Sequence, residues 1–384
     1  IQALLDQTGG HIRSLVLHES EINQLRCQVT KTSHGELIGQ SKKMQEVYEL
    51  IDLVAGSDAT DFAEQYLEQG ARVVLLGEGE ESLLEVMETL SGRSTTPLEA
   101  IQGVACADPQ RPGQWLRTPR RRPISDLDAL PFPAWDLVDL PRYREIWHRR
   151  HGRFSLNMAT TRGCPYHCTW CAKPLWGQRY AVRSPENVAG ELELLLDRYG
   201  PDHIWFMDDI FGLVPSWLPR FAELVEERGL AVRFKCLTRP DLVMREGTVE
   251  SLRRAGCEVV WMGAESGSQK ILDAMEKGTT VEQIRDAARR LQRAGIAVAF
   301  FVQFGYPGES REDVEATLRM IRDCRPDDVG MSVSYPLPGT PFHERLVAVA
   351  RAHNPTSIAD FTSSRFGKSP ALAALVPVIA PTAA

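Results

Sequence analysis

Beyond residue 150 the chain repeats one phrase: a short apolar run, a loop, a stretch whose apolar positions recur every three or four residues, then a glycine and another apolar run. Short apolar runs read as buried strands and the three-to-four spacing as amphipathic helix. The first strand covers 154–159. Ser184 and Pro185 begin a helix with an N-cap and a first-turn proline, Val188, Leu192, Leu195 and Leu196 share its inner face, and Gly200-Pro201 stops it. A strand over 203–207, a helix over 216–228, a strand over 231–236, a short helix over 248–255 and a strand over 258–262 follow. Thr279 and Glu282 form a capping box for a helix carrying Ile284, Ala288 and Leu291 on one face. The strand 296–304, a helix capped by Ser310 and Asp313 with Val314, Leu318 and Ile321 inward, and the strand 329–334 complete the series.

Strands separated by helices of this length imply an α/β fold with a parallel sheet and right-handed crossovers. Six such units are too few for a closed eight-stranded barrel. In barrels and open α/β sheets alike the site lies at the carboxyl ends of the strands. The groups found there are the cysteine loop from Cys164, then Asp208-Asp209, Arg239, Glu265-Ser266-Gly267, the run from Gly305 to Glu309, and Tyr335-Pro336. Each has a structural alternative, because the carboxylates could cap the next helix and the glycines could serve turns. Trp205, Phe206, Trp261, Phe300 and Phe301 read as core before they read as cofactor contacts.

Candidate chemistry concentrates in TRGCPYHCTWC, where Cys164, Cys168 and Cys171 form C-x3-C-x2-C just past the first strand. Three thiolates can serve an iron–sulfur cubane and leave one iron open for another ligand. Structural zinc wants four ligands, usually in two pairs, yet the remaining cysteines are scattered singly and His167 adjoins Cys168 too closely to complete a tetrahedron. Cys168 and Cys171 alone would make a C-x-x-C redox pair, which leaves Cys164 unexplained.

Composition sets the surroundings. With 43% apolar and 25% charged residues and a net charge of −7, the chain is an ordinary globular protein and a poor match for a nucleic-acid binder. No run of 18 apolar residues occurs, so no membrane span is expected. Eight cysteines, three of them clustered, suit a reducing cytoplasm.

CPYHCTWC, FMDDIF, GAESGSQKIL with MEKGTT, QFGYPGES and SYPLPGTPF, in this order between 154 and 344, resemble the radical S-adenosylmethionine superfamily. The likeness is greatest to its cobalamin-associated class, which includes the anaerobic magnesium-protoporphyrin IX monomethyl ester cyclases. It implies a partial (β/α)6 TIM-like barrel, preceded by a truncated Rossmann-like segment of the cobalamin-binding type. It also implies a [4Fe-4S] cluster on Cys164, Cys168 and Cys171 as the catalytic centre. S-adenosylmethionine on the open iron would be cleaved reductively to a 5′-deoxyadenosyl radical. Trp170 would lie beside the adenine, Met207, Asp208 and Asp209 at the amino group, and Glu265, Ser266, Gln303 and Gly305 along the ribose and adenine, with Arg239 and Tyr335 nearby. A small-molecule substrate, with tetrapyrroles as one class the resemblance implies, would be oxidised, methylated or cyclised with an electron donor such as flavodoxin or ferredoxin. The alternatives are a thiol redox protein and a non-catalytic regulatory protein with a degenerate barrel.

The stretch 56–90 resembles the later part of a cobalamin-binding domain, whereas the D-x-H-x-x-G loop of such domains is absent; His11, His18 and His34 lack its surroundings. Residues 34–60 resemble the opening of the ATPase domain of bacterial enhancer-binding activators, without the phosphate loop that should follow. The expected division is therefore 1–55, a segment of different origin; 56–116, a partial cobalamin-binding-type domain; 117–150, a Pro- and Arg-rich connector; 151–346, the radical S-adenosylmethionine core; and 347–384, a divergent or disordered tail. LPFPAW in the connector should pack on the barrel as an extended arm.

Overall fold

The structure, a computed structural model, describes residues 53–54, 57–172, 178–337 and 339–353. The histidines at 11, 18 and 34, most of the activator-like stretch and the tail from residue 354 lie outside the described residues.

The first part contains β1 (Leu53–Val54), α1 (Ser57–Asp61), α2 (Ala63–Glu68), β2 (Val73–Leu75), α3 (Glu80–Leu90), β3 (Val104–Ala107) and β4 (Trp115–Arg117). These strands form a sheet in the order β1-β2-β3-β4, whose first pair is parallel and the other two antiparallel. Only β1 and β2 therefore follow the doubly wound pattern. After α4 (Leu140–His151) come β5 (Ser155–Met158), the two-residue strands β6 (Thr161–Arg162) and β7 (Ala181–Val182), and α5 (Pro185–Tyr199). Then follow β8 (His203–Phe206), α6 (Trp217–Glu227), β9 (Phe234–Thr238), α7 (Pro240–Val243), α8 (Thr248–Arg254) and β10 (Cys257–Glu265). The last elements are α9 (Gln269–Ala274), α10 (Val281–Arg293), β11 (Ala297–Phe304), α11 (Arg311–Cys324), β12 (Asp328–Val333) and α12 (Pro341–His353).

Strands β5, β8, β9, β10, β11 and β12 lie side by side in that order, all parallel, as a six-stranded half-barrel. Strand alternation then divides each run of apolar residues between two faces. Phe206, Phe234, Cys236, Val260, Met262 and Phe300 turn outward into one core with the inner faces of the helices. Trp205, Leu237, Trp261 and Phe301 turn inward and wall a cavity. The aromatic residues expected as core thus split: Phe206 and Phe300 are core, and Trp205, Trp261 and Phe301 are not.

Ser184 caps α5 by accepting from the Asn187 N–H, and Gly200 ends it in the left-handed conformation. Ser310 and Asp313 make the expected box on α11. On α10 the box sits one residue later than expected, at Thr280 and Gln283, and Thr279 is buried instead. Strand β9 begins at Phe234 rather than at 231, where its ladder to Ile204 and Cys257 begins. The Val232 carbonyl oxygen crosses over Gly256, only 2.2 Å from where a Cβ would stand. Helix α12 continues to His353, past the boundary expected at 346. The connector packs as an arm: Phe132 lies under the Arg183 guanidinium and 3.8 Å from the Cβ position of Gly190.

The loop after β10 is stitched to α11. Gly267 N–H donates to Thr317 Oγ1 at 2.9 Å and Ser268 Oγ to Asp313 Oδ1 at 2.6 Å. A Cβ on Gly267 would stand 2.4 Å from the Ala316 carbonyl oxygen and 2.7 Å from the Thr317 Cα. Backbone cannot yield as a side-chain tip can, so Gly267→Ala should destabilise the fold by about 2–3 kcal/mol. Urea unfolding monitored by circular dichroism measures this.

Candidate active site

The cysteine loop leaves β5 through a turn fixed by one carboxylate. Asp208, buried at the end of β8, accepts from Thr160 N–H at 2.7 Å, Thr160 Oγ1 at 2.6 Å and Thr161 N–H at 2.8 Å. Strands β6 and β7 then pair antiparallel across the base of the loop. Its middle is held at Thr169, whose N–H donates to the Met275 carbonyl at 3.0 Å and whose hydroxyl meets Tyr306 Oη at 2.7 Å. The Thr169 carbonyl accepts from Phe342 N–H at 3.0 Å. Farther up the loop, the Arg239 guanidinium lies 3.6 Å over the Tyr166 ring, a cation–π contact. Arg239 also donates to Asp241 Oδ1 and to the Lys277 carbonyl, both at 2.8 Å. From the other side, Glu78 and Glu80 of the Gly-Glu-Gly-Glu turn bind Arg162, two residues before Cys164. The N-terminal sheet thereby docks on the same loop.

Cys164, Cys168 and Cys171 line one cavity of about 500 Å³ at the carboxyl ends of the strands. Among the described residues no three ligand-type side chains are grouped closely enough to share one metal ion. Three thiolates on one cavity wall are the kind of donor set in which each could bind a different iron of a polynuclear cluster.

The wall of the same cavity also carries a buried ion pair. Lys277 Nζ is 2.7 Å from Glu265 Oε1, both side chains are under 10% exposed, and Gln303 Nε2 donates to the other Glu265 oxygen at 3.0 Å. Two backbone features make room for it. Glu265 adopts φ 57° at an irregularity in the β10–β11 ladder, a conformation that a non-glycine residue enters only at some cost. Gly263 leaves free the space where a Cβ would meet Lys277 Nζ at 2.5 Å and Glu265 Oε1 at 2.6 Å.

The structure thus sorts the residues expected at the site. Trp170, Met207, Asp208, Asp209, Arg239 and Glu265 join the three cysteines in the cavity wall. Trp170 also packs with Ile271, Met275, Tyr306 and Phe342. The Asp208 carboxylate already accepts three hydrogen bonds from the β5 turn, so it holds that turn as well as lining the cavity. Arg239 is likewise engaged by Tyr166, Asp241 and the Lys277 carbonyl. Ser266, Gln303, Gly305 and Tyr335 lie outside the cavity wall. Ser266 is fully buried against Thr317, and Gln303 reaches the cavity only through Glu265. Lys277, Tyr166 and Thr169 are not among the residues expected at the site, though they stand in the motifs MEKGTT and CPYHCTWC. Spacing marks a motif, whereas only the fold reveals that Lys277 returns to Glu265.

The family model for the radical SAM superfamily matches residues 158–321. That stretch is a radical SAM domain, of the superfamily that uses S-adenosylmethionine as a radical source. An uncharacterised methyltransferase of Pyrococcus horikoshii is 31% identical over 278 residues, 72% of this chain and 58% of that protein. An anaerobic magnesium-protoporphyrin IX monomethyl ester cyclase of Rubrivivax gelatinosus is 28% identical over 303 residues, 78% of this chain and 53% of that protein. In fold the chain is like the cobalamin-dependent S-adenosylmethionine radical enzyme OxsB with aqua-cobalamin bound. The TM-score is 0.66 at 20% identity, over 82% of this chain and 52% of that one. It is also like the radical S-adenosylmethionine methyltransferase TsrM of Kitasatospora setae with cobalamin and a [4Fe-4S] cluster bound, with TM-score 0.64 at 21% identity over 79% and 60%. The chain therefore spans between half and three-fifths of the length of these relatives. The radical SAM domain accounts for the half-barrel and the cysteine loop, and the described N-terminal sheet precedes it.

Two predictions follow from the wall of the cavity. Lys277→Met leaves Glu265 a buried unpaired carboxylate and should destabilise the protein by about 3–5 kcal/mol. Adding Glu265→Gln should recover most of that loss in a double-mutant cycle. Burial pushes the Asp208 carboxyl up to about 6 from 3.8, against the pull of its Thr160 and Thr161 donors. A raised folded-state pKa gives stability that is complete below the unfolded value and lost as pH rises through the folded one. From pH 4 to 6, then, the wild type should lose up to about 3 kcal/mol through this group. Asp208→Asn keeps an oxygen for the two backbone donors and should flatten that part of a pH series of urea midpoints.

Proposed function

We propose that this chain is the core of a radical SAM enzyme in which Cys164, Cys168 and Cys171 hold a [4Fe-4S] cluster and the adjoining cavity receives S-adenosylmethionine. One observation carries the proposal: three thiols on a tightly fixed loop line the same cavity as a preorganised ion pair. The donor set fits the cluster, since three thiolates leave one iron for an outside ligand. When bound, the cluster supplies the electron that breaks the sulfur–carbon bond of S-adenosylmethionine, giving a 5′-deoxyadenosyl radical.

The residues of the chain do the rest. Thr169 and Tyr166 hold the loop still, Trp170 gives one wall an apolar face, and Glu265 and Lys277 offer an acceptor and a donor to the polar parts of the cofactor. Trp205, Trp261 and Phe301 close the floor with aromatic surface that excludes water. A substrate small enough for this interior, and a protein electron donor of the flavodoxin or ferredoxin kind, complete the reading. The named relatives favour methyl transfer or cyclisation among radical outcomes. A cobalamin ligated by histidine does not fit the described N-terminal sheet, because the chain has no histidine between 53 and 147, and no step is assigned to one.

Anaerobic reconstitution with iron and sulfide tests the proposal. The wild type should take up about four irons per chain, develop a cluster absorption band and, with dithionite, form 5′-deoxyadenosine. Alanine at each of the three cysteines should abolish both. Wild-type protein that binds no iron, or a triple alanine variant that retains the cluster, would refute the assignment. A reversible Cys168–Cys171 disulfide without iron would point to thiol redox chemistry instead.

A further inference from the structure

The lower inner face of the half-barrel carries polar groups that the cofactor chemistry leaves unused. Ser155 pairs with His203 across β5 and β8, and Trp205 with Lys235 across β8 and β9. Partners in a parallel ladder, and residues two apart on one strand, share a face, so all four side chains belong to the barrel interior with the cavity-lining Trp205. The Lys235 ammonium stands 3.8 Å from the centre of the Trp205 ring. Among the described residues no carboxylate comes within ion-pair distance of it. Glu258, on the neighbouring strand, is shared between Arg153 and Arg233, each at 3.4 Å. Burial, then Arg153, lowers the Lys235 pKa, against a smaller opposing pull from the Asp328 carboxylate.

His203 is only 1% exposed. Its Nδ1 lies 2.9 Å from Ser155 Oγ, while its Nε2 is buried without a partner. Burial brings its pKa down to about 4, so the ring is neutral at pH 7. The Ser155 hydroxyl can donate to Nδ1 or accept from it; in the tautomer where it donates, the ring proton resides on Nε2 and that nitrogen is a donor. Trp205 Nε1 is also buried without a partner. Buried donors are nearly always satisfied in folded proteins, and each orphan costs about 1–3 kcal/mol. An ammonium, an imidazole and an indole N–H thus stand on two adjacent strands, with no acceptor for them among the described residues.

We propose that Lys235, His203 and Trp205 make a substrate subsite that binds a carboxylate, Lys235 supplying the charge and the other two the hydrogen bonds. One cation with two neutral donors matches a singly charged group. Above the subsite Trp261 and Phe301 stack with centroids 4.5 Å apart, in space left by Gly330, whose Cβ would meet Phe301 at 2.9 Å. The substrate class is therefore a flat aromatic or alicyclic body with a carboxylate tail, its body against the stacked rings and its tail toward Lys235. The inference rests on the radical SAM reading for which end of the molecule reacts, and on geometry alone for which end is anchored.

Fluorescence titration of the anaerobically reconstituted chain with 1-pyrenebutyrate, and with its methyl ester, tests this. Wild type should bind the acid about tenfold or more tightly than the ester, a difference of about 1.4 kcal/mol. Lys235→Met should reduce the acid to the affinity of the ester, and Lys235→Arg should restore the preference. Trp205→Phe keeps a ring and removes the donor, so it should weaken the acid severalfold and leave the ester unchanged. Equal binding of acid and ester by wild type, or a preference that survives Lys235→Met, would overturn the subsite. Should Lys235→Met not fold, an unchanged acid affinity in Trp205→Phe overturns it equally. Iron content measured on the same preparation separates the two proposals: discrimination without iron refutes the radical reading and supports the subsite, whereas a loaded protein that does not discriminate refutes the subsite alone.

Discussion

The site depends on the way Thr169 is held. A loop carrying three thiols has little secondary structure of its own, and a polynuclear centre needs its ligands positioned before it binds. Thr169 fixes the loop at its middle through three connections, to Met275 after α9, to Tyr306 after β11 and to Phe342 at the start of α12. Each partner belongs to a different crossover of the half-barrel. One such bond contributes only about 1 kcal/mol, yet together they tie the loop to three segments that the parallel order already brings to one mouth. The motifs containing Met275, Tyr306 and Phe342 thereby gain a structural purpose before any contact with a ligand.

Much of the charge at the mouth is consumed in building it. Asp208 holds the turn after β5, Arg239 and Asp241 brace Tyr166, and Arg183 forms a buried pair with Glu191 beside the connector arm. Glu265 and Lys277 differ in standing on the wall of the cavity itself, at a residue with positive φ and over a glycine whose Cβ would displace both side-chain tips. Strain concentrated at a polar pair facing a cavity is what a binding site requires and what mere helix capping does not. The mouth is therefore layered, with a ring of satisfied ion pairs behind a smaller set of groups that meet the contents.

That layering explains what the sequence could disclose. The order of the six strands, the cysteine loop and the list of strand-end residues were all legible, because periodicity and spacing are local properties. Which strand-end residue faces inward was not. Asp208 and Asp209 are adjacent and chemically identical, and only the path of the preceding turn decides that Asp208 is claimed by Thr160 and Thr161. The pattern for a capping box fits Thr279 with Glu282 as well as Thr280 with Gln283, and the burial of Thr279 settles the register. Alternation, by contrast, could have separated Trp205 from Phe206 and Phe301 from Phe300, since neighbours on a strand must point to opposite faces.

The same alternation sets a length scale for whatever occupies the barrel. On β9 the inward positions are Lys235 and Leu237, with Arg239 following at the mouth, where it lies against Tyr166 of the cysteine loop. At about 3.3 Å per residue in a parallel strand, Lys235 and Arg239 are separated by about 13 Å. On the proposed subsite, a carboxylate at Lys235 and a reacting carbon beneath the cysteine loop would be spaced by somewhat less than that distance. Compact amino acids are too short to satisfy both ends at once, and long flexible chains would lose too much freedom on binding. A rigid ring system with a short acidic side chain meets both demands, and its flat face matches the stacked Trp261 and Phe301 that lie between the two ends.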